Sequence, residues 1–189
     1  RALCSRGMLL ERGSMLLEGS SEQAVNQYLD RYGAKAEGGR IPRTAHRLFS
    51  TGEAFIDRVE VVDSEGDAIT NVHLGQRLTV SMTFEVREEI GDAFVEIDLA
   101  TVDGVVVTTS TSVDGGSRPE RLGPGWYAAE LELDVVLVPQ RYTFTVGIHH
   151  FNTGETVDWV ERAAEATVVN VSQGGEESFR WTPKGFFRP

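Results

Sequence analysis

Carboxylates are the most frequent reactive side chains in this sequence, and Glu96, Asp98, Glu130, Glu132, Asp134 and Asp158 stand in or beside apolar segments. Glycoside hydrolysis requires two such groups facing one another across a sugar. Most of these alternate with apolar residues, which is the pattern of a strand's solvated face, so a solvated role is expected and no catalytic pair is assigned. His149 and His150 are adjacent, and in a strand adjacent side chains leave on opposite sides, so the two cannot chelate one metal. One is expected at the surface and the other inward or at a strand end. Asp63, Glu65 and Asp67 surround Gly66 without the twelve-residue spacing and closing Glu of a calcium loop, and a hairpin turn is expected there. The sequence has no Gly-x-x-x-x-Gly-Lys-Ser/Thr and no apolar strand ending in Asp-Glu. ATP hydrolysis is therefore not expected, nor is any cofactor or metal. Asn170-Val171-Ser172 matches a glycosylation acceptor, but no secretory signal accompanies it, and coincidence is the reading taken.

The composition narrows the remaining classes. Of 189 residues, 40% are hydrophobic and 25% charged, as in globular proteins that bury a core. The net charge of −11 opposes phosphate neutralisation, so nucleic acid is a poor partner. No apolar run approaches the ~20 residues that span a bilayer. The lone Cys4 excludes an internal disulfide framework and a cysteine zinc site, and suits a reducing compartment.

The elements that must position these residues follow from periodicity. Met8-Leu9-Leu10 and Met15-Leu16-Leu17 flank Glu11-Arg12-Gly13-Ser14, a hairpin with a glycine-containing turn. Ser20 and Gln23 have capping-box spacing, and Ala24, Val25, Tyr28, Leu29 and Tyr32 form one helical stripe that Gly33 can end. Residues 34–52 shift to Gly, Arg, Ala and polar residues with Pro42, which reads as a linker. From residue 53 the period is two. Arg77–Val86 alternates Leu78, Val80, Met82, Phe84 and Val86 with polar residues. Val95–Leu99, Tyr127–Val135 and Tyr142–Ile148 do the same, and shorter strands are expected at Ala54–Val62, Val105–Thr111, Thr156–Val160, Glu165–Val171 and around Phe179–Trp181. Turn signals such as Gly123-Pro124-Gly125 separate them. The fold class expected is all-β: an antiparallel Ig-like or jelly-roll-type β-sandwich of roughly eight or nine strands, with a short N-terminal hairpin-plus-helix appendage.

The two halves together resemble one family. Leu3-Cys4-Ser5-Arg6, Met8 to Gly13, Leu17-Glu18-Gly19 and Ala24-Val25-Asn26-Gln27-Tyr28-Leu29 look like the end of an ABC-transporter nucleotide-binding domain, with Ser5 where Asp is usual. The rest is similar to the carboxy-terminal domain of the ATPase subunits of O-antigen polysaccharide exporters, the Wzt type. The matching stretches are the Asp63–Asp67 turn, Gly75 to Val80, Val102-Asp103-Gly104, Leu122 to Tyr127, Val138 to Ile148, Asp158 and a closing segment with Trp181. Gln140 stands where that family usually has Gly. The resemblance implies residues 1–33 as the remnant of a nucleotide-binding domain, 34–52 as a linker and 53–189 as a carbohydrate-binding sandwich with a C-terminal strand. In that light the chain is expected to be a truncated piece of a longer subunit or a fragment prepared for crystallisation.

The resemblance further implies a non-catalytic domain that recognises a lipid-linked O-antigen polysaccharide at its non-reducing end and couples that recognition to export. The expected partners are the glycan on its lipid carrier, a second copy in a homodimer, and the transmembrane permease. The expected location is cytoplasmic, peripheral to the inner membrane through the transporter. A glycan presents CH faces that stack on aromatic rings and hydroxyls that need planar acceptors and donors, and a sheet face supplies both by alternation. The candidate set is Trp126, Thr143, Thr145, His149, Asp158, Trp159, Asp98 and Arg87, with Glu130 beside it. Which sheet carries the site is left open. Two rivals stand beside this reading: a dimerisation or docking sandwich of the transporter with no sugar ligand, and a sugar-cleaving or sugar-modifying enzyme. The Gly174-Gly175 hinge and the aromatic-rich segment 179–187 suggest dimerisation by a terminal strand that pairs with or exchanges into a neighbour's sheet.

Overall fold

The computed structural model describes residues 4–172 except 12, 33–37, 46 and 135, and gives only the backbone at 22, 26, 29–32 and 172. The terminal strand expected around Phe179–Trp181 lies outside the described residues.

The appendage begins with an antiparallel hairpin of β1 (Arg6–Glu11) and β2 (Ser14–Ser20), turned at Gly13 with φ 80°. Helix α1 (Ser21–Tyr32) follows directly. Its capping box is formed as the spacing requires: the Gln23 N–H donates to Ser20 Oγ at 3.1 Å, and the Ser20 N–H donates to Gln23 Oε1 at 3.0 Å. Leu9 and Ala24 are buried between helix and hairpin. A Cβ at Gly7 would lie 2.8 Å from that of Ala24, so the strand needs glycine where the helix crosses it.

The sandwich has ten strands: β3 (Phe49–Ser50), β4 (Ala54–Val62), β5 (Asn71–Leu74), β6 (Arg77–Val86), β7 (Ile90–Thr101), β8 (Val106–Thr111), β9 (Glu120–Leu122), β10 (Gly125–Asp134), β11 (Arg141–His150) and β12 (Thr156–Ser172). One sheet is three-stranded, in the order β10-β6-β4. The other runs β3-β12-β11-β7-β8, with β5 beside β12 and β9 beside β7. Every pairing is antiparallel except β5 with β12. The two short strands expected at Thr156–Val160 and Glu165–Val171 are one strand, bulged where Arg162 takes φ 52° and the register with β11 shifts.

Alternation delivers the core. Leu78, Val80, Met82, Phe84 and Val86 from one sheet meet Tyr142, Phe144, Val146 and Ile148 from the other, and all are buried. Each such side chain contributes about 1.5–3 kcal/mol by leaving water. Tyr142 keeps its polar end satisfied: its hydroxyl donates to the Val138 carbonyl and accepts from Gln140 Nε2, both at 2.9 Å.

The stretch read as a linker is, over its described part, laid along the sandwich. The Ile41 N–H donates to the Asp57 carbonyl at 2.7 Å, the Thr51 N–H to that of Val157 at 2.9 Å, and Ile41 is buried in the core. Composition signalled a linker because the apolar anchors there are isolated residues, not a periodic run. At Asp63–Asp67 the chain reverses on itself: Asp63 Oδ1 accepts the N–H groups of Glu65 at 2.9 Å and Asp67 at 3.1 Å.

Candidate functional site

Strand β11 is the middle of the larger sheet, and its residues divide cleanly. Tyr142, Phe144, Val146 and Ile148 face the core, so Thr143, Thr145, Gly147 and His149 face outward. Register then dictates their companions, because residues directly opposed across strands share a face. Gly147 lies opposite Trp159 of β12 and Glu96 of β7, and Trp159 lies opposite Phe49 of β3. Thr145 is opposite Asp98, and His149 opposite Phe94. On β8, Thr111 and Thr109 continue the rows of Glu96 and Asp98.

Gly147 lies beneath two rings. A Cβ there would come within 2.5 Å of both His149 Nε2 and Trp159 Cε3, so only glycine lets the two rings lean over the backbone. The rings form a continuous aromatic platform. His149 stacks on Phe94 with centroids 5.0 Å apart and meets Trp159 edge-on at 5.4 Å, and Phe151 closes edge-on against Phe94 at 6.1 Å.

Acceptors line the other side. Glu96 is held above the usual carboxylate range, first by burial and then by the negative charge of Asp98. Asp98 accepts a hydrogen bond from the Thr109 hydroxyl. His149 is 7% exposed. Burial lowers its pKa despite the opposing pull of Asp98, so the ring is neutral at neutral pH. Its Nδ1 is 3.2 Å from Thr156 Oγ1, while Nε2 has no hydrogen-bond partner and stands 3.9 Å from Glu96 Oε2.

Of the candidate set, Asp98, Thr145, His149 and Trp159 come together on this face. Thr143 shares it but is 2% exposed: Arg162 bonds Glu165 at 2.7 Å on one side and the Val102 carbonyl at 3.2 Å on the other, spanning the row in which Thr143 lies. Asp158 points into the protein, is 0% exposed, and pairs with Arg47, whose side chain is 6% exposed. Trp126, Glu130 and Arg87 belong to the opposite side of the sandwich, because β10 and β6 form the smaller sheet. There Trp126 is 62% exposed, and Arg87 packs over Phe55 at 4.8 Å beside Arg43 at 5.0 Å, with both arginines bonded to Glu85. Phe49, Phe94, Gly147 and Arg162 were not singled out from the sequence. Phe94 carried a signal, standing two residues before Glu96 in the same alternation. His150 ends β11 between Asp92 and Glu53, away from His149.

The family model of the Wzt C-terminal domain matches residues 45–180. The chain belongs to that family. Wzt C-terminal domains are carbohydrate-binding modules of ABC transporters for O-antigen export, and they bind rather than catalyse. The crystal structure of the C-terminal domain of Wzt superposes on 79% of this chain and 87% of its own with a TM-score of 0.65 at 16% identity, which shows the same fold. A Niemann-Pick type C2 protein from Japanese carpenter ant covers 65% of this chain and 97% of its own at 9% identity, with a TM-score of 0.44. A search of curated sequences finds no match. Among the described residues of this Wzt C-terminal domain, no helix is long and apolar enough to cross a membrane.

Proposed function

We propose that the outer face of the larger sheet binds the non-reducing end of an O-antigen polysaccharide still attached to its lipid carrier, and that this recognition licenses export. The observation that carries this reading is the outer face over Gly147, where the rings of Phe94, His149 and Trp159 stand beside the acceptors Glu96 and Asp98. Sugar rings need that pairing of an apolar plane with planar acceptors. A stacked ring contributes about 1 kcal/mol and a hydrogen bond to a carboxylate about 1.5–3 kcal/mol, so one site binds in the micromolar to millimolar range.

In this reading the domain acts as a homodimer at the cytoplasmic side of the inner membrane, docked through its ATPase subunit on the permease, and two copies of the site add avidity. ATP turnover belongs to the nucleotide-binding domain whose tail residues 1–33 resemble. Titrating the chain with purified O-polysaccharide from its source by calorimetry is the test. Saturable binding that Trp159→Ala weakens about tenfold and Trp126→Ala preserves supports the reading, and absence of binding overturns it.

A further inference from the structure

Arg162 sits at the bulge of β12 with φ 52°, in the left-handed region that glycine enters freely and a residue with a side chain enters only at a cost. What the position gains from arginine is the place to which it sends the side chain. The guanidinium reaches across the outer face of the larger sheet: Nη2 donates to Glu165 Oε1 of β12 at 2.7 Å, and Nη1 donates to the Val102 carbonyl, just past the end of β7, at 3.2 Å. Strand β11 runs between those two strands, with Thr143 opposite Glu165 on one side and Ala100 on the other. The side chain therefore lies as a bar over Thr143, which faces outward yet is 2% exposed. Its root is held as well, because the Arg162 N–H donates to Thr145 Oγ1 at 3.2 Å, and only 16% of the arginine side chain meets solvent.

The bar divides the face. Towards the end of β11 lie Thr145, then Gly147 beneath its two rings, then His149 against Phe94, and Gly147 is about 13 Å along the strand from Thr143. Beyond the bar the outward positions are polar: Arg141, its side chain 61% exposed, stands opposite Thr167 and 3.8 Å from Glu165. A glycan stacked on the rings and running along β11 meets the guanidinium before it reaches Arg141. In the other direction the face continues over Phe94 to Phe151, which is 49% exposed.

We propose, on the reading that this face binds the glycan, that Arg162 is its specificity-determining stop. The bar ends the aromatic platform, so the face holds the last few sugars of a chain and excludes an internal stretch, which would have to continue over Thr143. Discrimination between end and middle then comes from a steric block and not from an added attraction.

The test counts protein chains bound per glycan molecule by calorimetry, using the full chain and O-polysaccharide from its source, freed of lipid and sorted into pools of rising length. The native chain should give the same count in every pool. Arg162→Gly removes the bar and suits the left-handed φ, and its count should double when the glycan length doubles. Arg162→Asn, a short side chain that also tolerates this φ, should behave alike and carries the test if the glycine variant does not fold. A purely structural role for Arg162 would shift the melting temperature and the affinity and leave the count fixed. A native count that rises with length, or a folded variant whose count stays fixed, overturns the inference and leaves the carbohydrate reading in place. Absence of binding in every pool overturns both.

Discussion

The Asp158 carboxylate of β12 accepts the Ile56 N–H of β4 at 2.8 Å and pairs with the Arg47 guanidinium, which in turn donates to the Ile56 carbonyl at 2.8 Å. Three separate parts of the chain are thereby closed onto one another along the edge where the two sheets meet. Burial pushes the Asp158 carboxyl up and the Arg47 guanidinium down, and their mutual attraction pulls each part of the way back. Asp158 is therefore a brace between sheets and has no surface to offer a sugar.

Removing one partner of such a pair leaves an uncompensated buried charge. Asp158→Ala is expected to destabilise the chain by about 3–5 kcal/mol in urea denaturation, whereas the double replacement Arg47→Met with Asp158→Leu should cost less than either single change. A loss under 1 kcal/mol for Asp158→Ala would show that the pair is solvated in solution.

Trp159 and Trp126 separate the two faces. Trp159→Ala should weaken glycan binding about tenfold and Trp126→Ala should leave it unchanged, because they stand on opposite outer surfaces. Neither change should move the melting temperature by more than a few degrees, since partly exposed side chains give up little on truncation. If only Trp126→Ala impairs binding in calorimetry, the site is on the smaller sheet.

Gly147 permits the platform, so adding a single methyl tests it. In Gly147→Ala the new carbon would collide with His149 Nε2 and Trp159 Cε3, each 2.5 Å away, and one ring must swing out. Affinity should fall about tenfold or more with a stability loss of about 1–3 kcal/mol, the usual range for overpacking. Unchanged affinity would mean that the rings do not contact the glycan.

Strand periodicity made the sandwich legible, because the apolar members of β6 and β11 each bury one face as alternation requires. It also contained more than was drawn from it. Trp159 and Asp158 are consecutive, so by period two they cannot share a face, and choosing the tryptophan for the surface sends the aspartate inward. Sheet membership is a different matter. β10 and β11 alternate alike, and hydrogen bonding to β6 or to β7 is a long-range fact that sets Trp126 and His149 on opposite sides. Phe49 escaped notice because its strand is two residues long and has no period to detect. Gly147 escaped because its role is defined by two rings from the strand it sits on and the strand beside it.

His150 gives the fold a measurable pH dependence. Its Nδ1 is 3.1 Å from Asp92 and its Nε2 3.4 Å from Glu53, joining the end of β11 to the start of β7 and the turn before β4. Burial disfavours the charged ring, but the two carboxylates outweigh it and raise its pKa above the ordinary value. A raised folded-state pKa means that this stabilisation is complete below the unfolded value of about 6.5 and is lost as pH rises through the folded value. Asp92 acts in the opposite sense, held below its usual range first by the Asn152 N–H and then by His150, so its contribution is present above about pH 4 and fades on further acidification. The contact is therefore strongest at about pH 5–6. His150→Gln should lower the melting temperature by about 1–3 °C at about pH 5.5 and by nothing measurable above about pH 8.5. An equal loss at both pH values in thermal melts would mean that His150 holds these segments by packing, with its charge irrelevant.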